Sequence, residues 1–207
     1  MLSEKPVVTF LDELASSAPA PGGGSAAALA AAIGAGLVSM VANLTVGKKQ
    51  YAGVQADIQR ILARSEELRH KCLDLLERDV AAYTEVSKAY KMPKDTDEQR
   101  AARAEAMQKA LKNATAVPME LARVCVEILN LCPESAQKGN VNAISDVGVG
   151  ALMAEAALRA AALNVLINLG SIKDEAFVQK ERARLDTLLE GKAELKEQIL
   201  KDVEAKL

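Results

Sequence analysis

Three stretches of this chain carry side chains whose types and spacing could do chemistry. The first is Pro21-Gly22-Gly23-Gly24-Ser25, placed where a helix begins. Consecutive glycines leave backbone N–H groups uncovered and the helix dipole adds partial positive charge, so the turn suits a carboxylate, a phosphate or a ring carbonyl. Spacing alone fits a tight turn with Ser25 as N-cap just as readily. The second is Asp79. An apolar seam reads Val54, Ile58, Ile61, Ser65, Leu68, Cys72, Leu75, Asp79, Tyr83, Val86, Tyr90, alternating steps of three and four as one buried helix face requires. A carboxylate on that face must find a partner, shift its pKa or line a wet cavity, because desolvation alone costs several kcal/mol, roughly. The third is Gly139-Asn140-Val141-Asn142-Ala143-Ile144-Ser145-Asp146. It gathers amides, a hydroxyl and a carboxylate before an apolar helix, a set that caps the helix or orients a polar heterocycle.

Other chemical features read as structural. Lys48 and Lys49 are expected in solvent, although a cation near the glycine turn would meet an anionic substrate tail. Glu155 and Arg159, four apart, are expected to pair. The single histidine, His70, reads as a surface residue. One histidine and three cysteines without CxxC spacing (Cys72, Cys125, Cys132) disfavour a metal site and a disulfide framework. Reduced thiols and a start with no signal-peptide pattern predict a cytoplasmic protein. The formal net charge is −2, with aromatics at 2% of residues and no Trp. These values argue against nucleic acid as a partner, by charge and by stacking.

The elements that must position these groups are helical nearly throughout. The predicted helices are a short one over residues 9–17, a second from Ser25 to about Val46, and a long third from about Val54 to Met92. A fourth starts at the Thr96-x-x-Gln99 capping box. Pro118 is expected to kink or break the fourth helix and Pro133 to end it. An apolar helix over Ser145–Leu169 and one amphipathic helix ending near Leu207 complete the chain. Gly22 to Gly47 contains no charge, which is long enough for a membrane span, but its Ala and Gly content reads as a central buried helix instead. The expectation is one all-α domain, residues 1–207, a single-domain bundle of long helices. Helices of about 40 residues are about 60 Å long, so they would overhang one chain and pack across the two-fold of a homodimer.

Several stretches, in order and at matching spacing over nearly the whole chain, resemble the cyclodeaminase/cyclohydrolase family of folate one-carbon enzymes. They are Pro21-Gly22-Gly23-Gly24-Ser25-Ala26-Ala27, Asn43-Leu44-Thr45-Val46-Gly47-Lys48-Lys49, Asp79-Val80-Ala81-Ala82-Tyr83, Met92-Pro93-Lys94, Lys112-Asn113-Ala114-Thr115-Ala116-Val117-Pro118, the Gly139–Asp146 loop, Ala156-Ala157-Leu158 and Asn164-Val165-Leu166-Ile167-Asn168. Gln50 departs from the pattern, where a third lysine is expected. The resemblance implies a helical homodimer acting on a tetrahydrofolate derivative, with no prosthetic group and no metal. Two reactions are implied: hydrolysis of 5,10-methenyltetrahydrofolate to 10-formyltetrahydrofolate, or closure of 5-formiminotetrahydrofolate with release of ammonia. The absence of a formiminotransferase domain from this chain tilts the expectation toward the cyclohydrolase. In that reading Asp79 and Asp146 are the acid–base pair. Asn140, Asn142 and Ser145 orient the pterin, Gly22, Gly23, Gly24 and Ser25 approach it, Tyr83 holds the water or a carboxylate, and Lys48 and Lys49 meet the glutamyl tail. A non-catalytic folate-binding dimer is the alternative outside enzymology.

Overall fold

Seven α-helices dominate the structure, a computed structural model that describes residues 1–207: α1 (Val7–Leu14), α2 (Gly23–Asn43), α3 (Gln55–Tyr90), α4 (Asp97–Lys138), α5 (Ile144–Leu169), α6 (Glu175–Leu189) and α7 (Lys192–Glu204). Short 3-10 turns at Leu2–Glu4, Lys49–Val54 and Val141–Ala143 open the chain or join helices. Cross-contacts define the topology. Ser25 bonds Asp79 while Ser39 bonds Ser65, so α2 and α3 run antiparallel. Lys138 reaches Asp57 while Glu120 reaches Arg78, so α3 and α4 do too. Gly23 lies beside Asn164 and Gly34 faces Gly150, which makes α5 antiparallel to α2. The result is an up-down-up-down bundle with α2 packed on the other three, and α6 and α7 leaning on α4 and α5.

Every buried residue of α2 is Gly, Ala, Ser or Val, which lets its neighbours approach at backbone distance. A Cβ built on Gly34 would lie 3.0 Å from the Gly150 carbonyl oxygen. Buried leucines and isoleucines of α3, α4 and α5 fill the space around this slender helix. The outer edge of the α3–α4 seam carries a ladder of ion pairs, Arg60–Glu134, Arg64–Glu127, Lys71–Glu120 and Lys138–Asp57. Each is part-exposed and individually worth little. Glu155 and Arg159 pair at 2.8 Å and His70 is exposed, both as expected.

Three expectations about elements are corrected. The fourth helix neither breaks at Pro118 nor stops at Pro133; α4 is continuous for 42 residues, about 63 Å. An interior proline costs about 3 kcal/mol. Burial of Val117, Pro118, Met119 and Leu121 on one side, and of Ile128, Leu129 and Cys132 near the other, outweighs that cost. The C-terminal helix is two helices, because Gly191 takes a left-handed φ of 69° between α6 and α7. Beyond Asp79 the predicted α3 seam holds only in part: Val86 still packs against the core, but Tyr83 and Tyr90 are 44% and 69% exposed. By length and composition both α2 and the Val141–Leu169 stretch are long and apolar enough to cross a membrane; most of α2 is buried inside the bundle.

The α2–α5 contact makes a stability prediction. Gly34→Leu would drive a side chain into backbone and is expected to destabilise by about 1–3 kcal/mol. Gly36→Ala meets only the flexible Arg69 Cδ at 3.7 Å and is expected to be neutral or to gain up to about 1 kcal/mol from helix propensity. Chemical denaturation of the two variants, read against wild type, checks both signs.

Candidate active site

At the glycine end of the bundle the chain turns through Pro21 and Gly22 and enters α2 at Gly23. Ser25 does not cap this helix, contrary to the sequence expectation; Gly22 occupies the cap position with no side-chain bond. The fully buried Ser25 hydroxyl instead donates to Asp79 Oδ2 at 2.8 Å. A Cβ on Gly24 would lie 2.6 Å from Asp79 Cγ and nearer still to Oδ1, so only glycine lets the carboxylate sit against this helix start. Gly22 faces open space, and Gly23 lies in ordinary contact distance of the Asn164 amide.

Asp79 is in no ion pair. Burial pushes its carboxyl above the ordinary value, and the Ser25 hydroxyl and backbone amide pull it part of the way back. It borders a cavity of about 250 Å³ whose lining includes Tyr83, Ala114, Pro118, Asn164 and Asn168. Asn164 and Asn168 stand four apart on α5 and present two amides to one space. Asn164 Nδ2 donates to the Ala160 carbonyl at 2.8 Å. Neither asparagine was singled out from spacing. The signal was present, since two amides at i and i+4 are conspicuous in so apolar a helix.

The remaining candidates gather at the opposite end. Lys48 and Lys49 follow the end of α2 and are exposed. Asn140 is 3% exposed and its polar atoms are occupied: Nδ2 donates to the Leu44 carbonyl at 3.0 Å, its amide to Thr45 Oγ1 at 2.8 Å, and Oδ1 accepts from the Asn142 amide and from Tyr51 OH. It ties the end of α2 to the start of α5. Asn142 and Ser145 are exposed, and Asp146 is half-buried in the first turn of α5, where the helix dipole favours its charge. From Asp146 to Asn164 the helix rises about 27 Å, so within one chain Asp79 and Asp146 cannot touch one substrate.

The three cysteines are buried and unpaired. Burial pushes the thiols of Cys72 and Cys132 up to about 12 and that of Cys125 well above its usual range, so none is poised as a nucleophile.

A part-buried, unpaired carboxylate beside a small amide-lined cavity, in an up-down bundle of long helices, is the arrangement of a small-molecule site in an all-helical enzyme. The chain belongs to the formiminotransferase-cyclodeaminase family, whose model matches residues 6–187. It is similar to a methenyltetrahydrofolate cyclohydrolase of Methylorubrum extorquens, with 49% identity over 207 residues and the whole of both chains covered. It is 39% identical to a formimidoyltransferase-cyclodeaminase of Sus scrofa over 91% of this chain, which spans 35% of that protein. A crystal structure of formiminotetrahydrofolate cyclodeaminase from Thermotoga maritima superposes with TM-score 0.82 at 33% identity, covering 100% of this chain and 98% of that one.

The raised Asp79 pKa has a defined consequence for stability. A carboxyl whose pKa is higher folded than unfolded binds more protons in the native state, so its contribution falls as pH rises through the two values. Asp79→Asn removes that titration. Its stability relative to wild type is expected to increase from acidic to neutral pH, and denaturant melts of both proteins across that range check the sign.

Proposed function

We propose that this chain is a cyclohydrolase that opens 5,10-methenyltetrahydrofolate to 10-formyltetrahydrofolate. The observation that carries the reading is the end-to-end match to a cyclohydrolase, 49% identical over all 207 residues. The site chemistry supports it. The methenyl carbon is an electrophilic amidinium, so the reaction asks for a proton acceptor for water and a proton donor for the departing ring nitrogen, with no prosthetic group or metal. A part-buried, unpaired carboxylate stabilises such a cation, and a raised pKa makes Asp79 a better base. In this reading Asp79 takes the water proton as the C–O bond forms. Ser25 steadies the carboxylate, and Tyr83, Asn164 and Asn168 orient the ring system. The alternative reaction, ammonia-releasing cyclodeamination, is favoured by the likeness to the Thermotoga maritima enzyme.

The two ends of the chain come together only through a second copy. α2 exposes Ile33 and Met40, with Leu44 just past its end, and α5 beside it exposes Val149, Leu152, Leu163 and Ile167, the last two 68% and 72% exposed. A homodimer formed on this face, with its two-fold axis across the helices, sets the Asp79 end of one protomer against the Asp146 end of its partner. Asp146, Asn142, Ser145, Lys48 and Lys49 then serve the site from the second copy, Asp146 facing the departing nitrogen. With that face covered the two apolar helices need no membrane, and a net charge of −2 favours no nucleic-acid partner, so the reading is of a cytoplasmic enzyme.

Enzyme-dependent loss of methenyltetrahydrofolate absorbance, corrected for spontaneous opening, tests the reaction. Asp79→Asn is expected to cut kcat/KM by about 10²–10⁴, and Gly24→Ala, which displaces the carboxylate, by about 10². No acceleration by wild type, with ammonia released from 5-formiminotetrahydrofolate, would transfer the assignment to the cyclodeaminase. The shared site has its own test. Asp79→Asn and Asp146→Asn coexpressed are expected to recover turnover that neither variant has alone, because mixed dimers rebuild one intact site; a mixture as inactive as its components excludes sharing.

A further inference from the structure

The Asp79 cavity continues outward. Tyr83 and Val86 line both it and a second cavity of about 570 Å³, bounded further by Tyr90, Arg103, Met107 and Leu111. This groove lies between the last turns of α3 and the first turns of α4. Its walls are apolar near Asp79 and become cationic at the far end, about 16 Å along α3. There the Arg103 guanidinium stands 5.1 Å from the centre of the Tyr90 ring, and its Nε donates to the Tyr90 carbonyl at 3.1 Å. Ring and carbonyl hold the guanidinium in place, and no carboxylate pairs with it. Neighbouring arginines are neutralised, Arg100 by Asp97 and Arg78 by Glu120. A fixed, unpaired guanidinium at the mouth of an apolar groove is a recognition group for a carboxylate.

We propose that this groove binds the arm of the folate, with the aminobenzoyl ring between Tyr83, Val86, Met107 and Leu111 and the glutamate carboxylate on Arg103. The inference rests on the folate reading above and adds to it where the arm lies. The order of groups in the ligand matches the order along the groove: the one-carbon centre at Asp79, an aryl ring at the aromatic and aliphatic walls, a carboxylate at the cation. Arg103 thereby takes, within the same protomer as Asp79, part of the role expected of Lys48 and Lys49. Within that protomer those lysines stand at the far end of α2, about 30 Å away, and would reach the site only from the second copy.

Steady-state kinetics on two substrates test this: 5,10-methenyltetrahydrofolate and the methenyltetrahydropteroate that lacks the glutamate. Arg103→Ala is expected to raise KM for the first by roughly tenfold or more, the scale of one charge-assisted pair, with the loss in KM and not in kcat. It is expected to leave KM for the pteroate unchanged, and Arg103→Lys to restore part of the difference. An unchanged KM in Arg103→Ala, an equal rise on both substrates, or a glutamate-dependent rise confined to Lys48→Ala and Lys49→Ala overturns the assignment. Failure of the folate reading itself is separately visible, because unmutated protein would then turn over neither substrate nor 5-formiminotetrahydrofolate.

Discussion

The architecture depends on how little side chain α2 brings to its neighbours. With nothing larger than valine on its buried face, the backbone of α2 comes close enough to α5 for Gly34 and Gly150 to touch. α3 closes in from the other side near enough for hydroxyls to meet directly at Ser39–Ser65 and for Ser25 to reach Asp79. Dispersion and apolar burial grow with this proximity. The same proximity puts a carboxylate against a helix N-terminus, where a single methyl group at Gly24 would not fit. The core packing and the candidate site are therefore consequences of one constraint.

Asp79 is the cost in this arrangement. The carboxylates along the α3–α4 seam are matched by cations on the neighbouring helix and sit at least partly in solvent. Asp79 has a hydroxyl, the amide end of a helix and a cavity instead. A bundle selected for stability alone would place an apolar residue there and continue the seam from Leu75 toward Tyr83. A site for a cationic ligand has the opposite requirement, since the unpaired negative charge is then completed by the substrate and is stronger for being partly shielded from water.

α2 and α5 share a second property: their bulkier side chains face out. Ile33, Met40, Leu163 and Ile167 form part of an uncovered apolar surface across two adjacent helices, the reverse of the usual polarity of a surface helix. That surface runs between the glycine end and the lysine end. In the proposed dimer, a second copy seated on this surface would cover the apolar area and bring together residues that one chain keeps about 27 Å apart.

Much of this was legible in the residues themselves. The all-helical class, the positions of α2, α3 and α5, the Thr96 capping box and the anomaly of Asp79 all follow from periodicity and local chemistry, because helix faces and caps depend on neighbours within a few positions. The family was legible for a similar reason, through motifs spread in order along the chain. Continuity of α4 through Pro118 and Pro133 was not, since a local penalty was outweighed by packing from helices distant in sequence. Nor was the use of Ser25 on Asp79 instead of a cap, the entry of Asn164 and Asn168 into the cavity, or the burial of Asn140 as a clasp. Sequence order determined which residues share a helix face. Only the antiparallel stacking of those helices decided which faces meet, and it put Asp79 at one end of the bundle and Asp146 at the other, because a straight helix carries its two ends apart by a fixed rise per residue.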